Sequence, residues 1–98
     1  MVTVLIHHKV SDFNHFKPVF DSSFQFRHSV GEEGYKMFRS LNDPNDVTVM
    51  LNFATPEAAQ KFVASDTLRS RMKEAGVVGE PNVQMLSEVL FARRTSAD

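Results

Sequence analysis

Three of the four segments that read as β-strands carry apolar side chains on both faces, while the stretches between them supply helices for only one face. Successive residues of a strand point to opposite sides. In 2–10, VTVLIHHKV, residues Val2, Val4 and Ile6 point one way and Leu5 the other. In 47–54, VTVMLNFA, residues Val47, Val49, Leu51 and Phe53 oppose Thr48, Met50 and Asn52. In 82–92, NVQMLSEVLFA, residues Val83, Met85, Val89 and Phe91 oppose Leu86 and Leu90. An antiparallel sheet with one wet face alternates cleanly between apolar and polar residues, and these strands do not. An exposed apolar patch of more than roughly several hundred square ångströms is unusual on a monomer. A second copy, packed sheet to sheet about a two-fold axis, is therefore the expected cover.

The intervening segments set the order of elements. Ser11 and Asp12 are helix starters, followed by Phe13, Phe16, Phe20, Phe24 and Arg27 at spacings of three and four, one face of a helix. Pro18 lies inside that helix and predicts a kink or a later start. Gly31 to Gly34 break the chain before a second strand, GYKMFRSL, at 34–41, joined to the third through the turn-forming run Asn42 to Asp46. Thr55-Pro56 starts a helix with Ala58, Ala59, Phe62 and Val63 on its buried side, and Ser65-Asp66 caps a shorter one over 67–75 that Gly76 ends. A loop bearing Gly79 and Pro81 then leads to the last strand. The order β-α-β-β-α-β predicts an α+β, ferredoxin-like fold: a four-stranded antiparallel sheet with helices on one face. With 98 residues the chain has material for one core, expected over 1–93, with 94–98 a frayed tail.

Charge and composition exclude several functions. Eleven basic and twelve acidic residues leave a formal charge of −1, without the positive field that draws proteins to nucleic acid or anionic membranes. The third strand lacks the interleaved basic and aromatic residues of an RNA-recognition sheet, so no nucleic-acid partner is expected. The absence of cysteine excludes thiolate nucleophiles and cysteine-held metals. No G-x-G-x-x-G or P-loop anchors a nucleotide, and no histidine pair stands at the spacing of a zinc helix. No metal or cofactor is expected. The opening MVTVLIHHKV has neither a basic leader nor a long apolar run, and reads as the start of a cytoplasmic protein without a membrane segment.

The segments SDFNHFKPVFD, LNDPNDVTVMLNF and above all TPEAAQKFVASDTLRSRMKEAGVVGEP resemble the dimeric α/β-barrel superfamily, in particular small antibiotic-biosynthesis-monooxygenase-like and polyketide cyclase-like proteins. The resemblance spans about residues 2–91. It implies two subunits whose sheets form a barrel and, in each subunit, a pocket between sheet and helices for a hydrophobic or aromatic small molecule. It further implies either oxygenation without metal or cofactor, or ring closure; other members have no established activity. The chain departs from many of the oxygenases in having no tryptophan, with Phe16 at a position where similar sequences often carry one.

His7 and His8 are adjacent on a strand, so at most one enters such a pocket. That one is the candidate general acid or base, with an unperturbed pKa near 6.5. If Val4 and Ile6 face the helices, the role falls to His8. Tyr35 and Asn52 can donate to a carbonyl or oxyanion, and Arg39, on the face of Tyr35 and Met37, can hold an anion. Phe16, Phe20, Phe24 and Phe62, with Met72 and His28, are candidates for the wall. The plainer alternatives are a strand-end histidine bonded to backbone, an edge tyrosine, a solvated arginine, a helix-capping His28 and a phenylalanine core.

Overall fold

The computed structural model describes residues 1–93; the tail expected over 94–98 lies outside the described residues. Among the described residues the elements run β1 (Val2–Val10), α1 (Phe13–Ser22), α2 (Phe24–Ser29), β2 (Glu32–Arg39), β3 (Asp46–Phe53), α3 (Pro56–Ala64), α4 (Asp66–Glu74) and β4 (Val77–Ser87). The strands form one antiparallel sheet in the order β2-β3-β1-β4, with the helices on one face. It is the βαββαβ frame with each helical segment broken in two.

The breaks have local causes. Asp12, Thr55 and Ser65 cap α1, α3 and α4 by accepting from the backbone N–H of Asn14, Ala58 and Thr67, satisfying donors that a helix start leaves open. The later start offered by Pro18 does not occur: α1 begins at Phe13 and runs through Pro18. The missing N–H leaves the Asn14 carbonyl without its helical partner, and both residues are exposed. The chain breaks five residues later, where the hydroxyls of Ser22 and Ser23 both donate to the Val19 carbonyl, at 2.9 and 3.0 Å, and compete with the helical bonds. Gly76 closes α4 at φ +82°, and a Cβ there would meet Ser11 Oγ at 2.7 Å; only glycine suits that position.

Two strand boundaries differ from expectation. β2 starts at Glu32, inside the segment read as a break, because that carboxylate turns inward to a buried partner described below. β4 starts at Val77 and ends at Ser87. Gly79 and Pro81 belong to the strand, in an irregularity between the pairs His7↔Asn82 and Lys9↔Val78, where His8 alone of β1 stands opposite three residues of β4, Gly79, Glu80 and Pro81. An edge strand tolerates both residue types at a bulge. Val89, Leu90 and Phe91 consequently lie beyond the sheet and on neither of its faces, with Val89 95 % exposed.

The core is the helix-facing side: Val4, Ile6, Val10, Val47, Val49, Leu51 and Phe53 under Phe16, Ala59, Phe62, Leu68 and Ala75. The other side carries Leu5 and Met50, half-buried, with Phe38 and Leu86 exposed. Phe53, fully buried against Phe62 with ring centroids 5.3 Å apart, joins the sheet to α3. Truncating it leaves a cavity that close packing cannot refill. Phe53→Ala should lower unfolding free energy by about 3–5 kcal/mol, read from urea denaturation, while Leu41→Ser, at a fully exposed site, should change it by less than about 0.5 kcal/mol.

Candidate functional site

The phase of β1 settles which histidine meets the helices. Val4, Ile6, His8 and Val10 face them and are buried, while His7 points to the opposite side of the sheet. His7 Nε2 there meets Asp46 Oδ1 on β3 at 2.5 Å. His8 sits where β4 bulges away, is 6 % exposed, and packs its ring edge-on to Phe16 at 5.3 Å. Its Nδ1 is buried without a hydrogen-bond partner among the described residues. Burial is the largest influence on this imidazole and lowers its pKa from the ordinary 6.5; its own backbone and Asp46 oppose the shift and His7 adds to it. His8 is thus held neutral, since low polarity disfavours the charged form.

His8 opens onto a cavity of about 50 Å³ between the sheet and all four helices, walled by Phe16, Phe20, Phe26, Phe62, Val49 and Met72. That is room for a few water molecules, well short of the roughly 300–1,000 Å³ of pockets that enclose a drug-sized ligand. Phe20 and Met72 are half-buried, as are Val19, Phe26 and Arg71, and with them form its solvent side. A wider open groove of about 410 Å³ between α4 and β4 is lined by Arg69, Lys73 and Glu80 among apolar residues, with no histidine.

Of the residues singled out from sequence, His8, Phe16, Phe20, Phe62 and Met72 converge on the cavity. The others lie elsewhere. Asn52 is on the far face with His7, its Oδ1 accepting from the Thr3 hydroxyl at 3.0 Å. Tyr35 is on the helix-facing side of β2, but behind Phe20, with ring centroids 5.0 Å apart, and is 41 % exposed. Arg39 lies over the Phe13 ring at 4.0 Å and donates to the Pro44 carbonyl. Phe24 and His28 stack on each other one turn apart at the surface. Alternation along β1 and β3 accounts for the separation of Asn52 from His8.

Two charged groups at the site had not been singled out. Arg27 on α2 lines the cavity and is 4 % exposed; its Nε donates to Glu32 Oε1 at 3.1 Å, and Glu32 is buried as deeply. Arg27 Nη1 donates to the Phe20 carbonyl, and the guanidinium carbon lies 3.8 Å over the Phe20 ring. The sequence signal was available: Arg27 falls on the phenylalanine stripe, and a charge on an apolar helix face needs a partner. Arg71 lines the cavity from α4, paired with Glu74. Among the described residues no three His, Asp or Glu side chains are grouped to hold a metal ion, and no helix is long and apolar enough to cross a membrane.

The four-stranded antiparallel sheet with a split helical layer on one face is a fold shared with solved antibiotic biosynthesis monooxygenases. The chain superposes on SnoaB, a cofactor-independent oxygenase from Streptomyces nogalater, with a TM-score of 0.72 at 16 % identity, covering 99 % of this chain and 97 % of SnoaB. It matches an antibiotic biosynthesis monooxygenase at 0.68 and 13 % identity, over 92 % of this chain and all of that one. A conserved protein of Methanosarcina mazei matches at 0.71 and 13 %, over 90 % and 92 %. At these identities the likeness is one of fold. No protein-family model and no curated sequence matches the chain.

Because the unfolded imidazole titrates near 6.5 and the folded one lower, the unfolded chain binds more protons as pH falls through that window. The contribution of His8 to stability is complete above about pH 6.5 and is lost as pH falls toward the folded pKa. Urea midpoints should therefore drop between about pH 7.5 and about pH 5, and drop less in His8→Leu. An equal drop in both would contradict the neutral, buried imidazole.

Proposed function

We propose that the chain is a small dimeric enzyme that binds an aromatic or polyketide-like molecule between sheet and helices and performs cofactor-free acid–base chemistry, oxygenation or ring closure, with His8 as base. The observation that carries this reading is the imidazole of His8, buried against an aromatic wall with an unpartnered ring nitrogen. A neutral imidazole has a lone pair to accept a proton; surrounded by Phe16, Phe20 and Phe62 it meets little competing water. Taking a proton from a carbon next to a ketone leaves a carbanion spread over carbonyl and rings. That carbanion can attack an internal carbonyl, closing a ring, or react with dioxygen. The fold shared with SnoaB supports oxygenation as one outcome.

At about 50 Å³ the cavity admits only part of a flat molecule, so binding a larger one requires its half-buried wall residues to move apart. A second reading of the same fold is a non-enzymatic small-molecule-binding or stress-associated dimeric protein, and the small volume favours a plainer one still, a structural dimer. The outer sheet face, with Leu5, Met50, Phe38 and Leu86 and the His7–Asp46 and Thr3–Asn52 pairs, is proposed as the surface on which two copies meet.

Anthrone, a flat ketone with an acidic C–H, is a suitable probe. Oxygen uptake with anthrone should fall about 10²–10⁴-fold in His8→Gln, the usual contribution of a positioned base. Saturable binding without turnover in the wild type supports the binding-only reading instead. In light scattering the wild type should have twice the chain mass and Met50→Asp the mass of one chain, because a like charge at each copy of a two-fold contact is unfavourable. A monomeric wild type would contradict the dimer.

A further inference from the structure

The buried Arg27–Glu32 pair is more than the contact of α2 with β2 requires. Charges taken out of water cost several kcal/mol each, and an apolar pair of similar volume often holds two elements together as well or better. A guanidinium carries five N–H groups. Glu32 takes the one on Nε and the Phe20 carbonyl takes one on Nη1, so three have no acceptor among the described residues. They belong to a side chain that lines the cavity and is held in one orientation: Glu32 grips one edge, the Phe20 carbonyl a second, and the Phe20 ring covers a face at 3.8 Å. The remaining N–H groups form a planar array of the kind that suits the two oxygens of a carboxylate. The cavity that Arg27 lines, about 50 Å³, takes a head group of that size while leaving a ring to its aromatic wall. Arg71, also in the lining and paired with Glu74 at 3.5 Å, brings a second guanidinium to the cavity, and the lining itself holds no carboxylate.

We infer that Arg27 makes this cavity a site for an aromatic carboxylate, its head group at the guanidinium and its ring between Phe20 and Met72. The inference rests on the reading that the cavity takes a flat aromatic ligand, and it adds which charge that ligand carries. Glu32 acts as a positioning residue: it orients the guanidinium and offsets part of its charge.

Benzoate and benzamide have nearly the same shape and differ in charge, and their dissociation constants can be compared by NMR titration. The wild type should bind benzoate about ten- to a hundredfold more tightly than benzamide, the range expected of hydrogen bonds to a charged partner. Arg27→Gln should bring the ratio near one. Because Arg27→Gln leaves Glu32 buried and unpaired, the paired variant Arg27→Gln/Glu32→Gln serves as the folded control and should lose the preference equally. Glu32→Gln should tighten benzoate severalfold and leave benzamide unchanged, an effect that a merely structural ion pair would not produce. Equal binding of the two probes to the wild type, survival of the preference without Arg27, or unaltered benzoate affinity in Glu32→Gln overturns the carboxylate site alone. Failure of both probes to bind overturns it together with the reading of the cavity as a ligand site.

Discussion

β1 is hydrogen-bonded on both sides, to β3 across Val2↔Phe53 through Lys9↔Asp46 and to β4 across Val2↔Ser87 through Val10↔Val77. Its side-chain phase is therefore locked twice, and a slip by one residue would turn Val4, Ile6 and Val10 out of the core. The same locking sends His8 inward and His7 outward. The position of the one buried imidazole among the described residues is thus a consequence of core packing: the apolar residues at 4, 6 and 10 place it. The bulge in β4 opposite His8 alters the partner strand, not the face on which His8 lies.

The order of elements, the caps at Asp12, Thr55 and Ser65, and the glycine end at Gly76 were legible because each rests on local chemistry within three or four residues. The true break in the first helical segment was harder to read. Pro18 is the conspicuous residue, yet its effect falls on solvent, whereas two serine hydroxyls competing for one carbonyl are a weaker signal with a larger result. The start of β2 depends on a tertiary partner: Glu32 has poor strand propensity and becomes a strand residue because Arg27 pairs with it. β4 absorbs glycine and proline because it is an edge, and edge position is a property of the assembled sheet.

Within the site, alternation allowed His7 to be told from His8 once the covered face was known, and helical spacing placed Phe16 and Phe20 together. Spacing did not separate Phe24, whose ring turns to solvent after the break at Ser23 changes the helix direction. Tyr35 and Arg39 share the correct side of the sheet but lie along β2, an edge strand, where Phe20 and Phe13 stand between them and the cavity. Arg27 was visible as the single charged member of an aromatic stripe. Its meaning emerges only with Glu32 beside it, five residues on and across a turn. The result is one largely apolar cavity lined by a buried imidazole and a fixed guanidinium, with Ser23 and Arg71 also in its wall, on a fold shared with a cofactor-independent oxygenase.

His8 is buried in the lining of the cavity, where low polarity lowers its pKa. The most direct test is the NMR titration of the His8 ring in the intact protein, with His8→Gln used to assign the signal. The midpoint should lie below the ordinary 6.5, and the His8 ring resonances should shift when an aromatic ligand enters the cavity. A midpoint at or above 6.5, with no response to ligand, would contradict this.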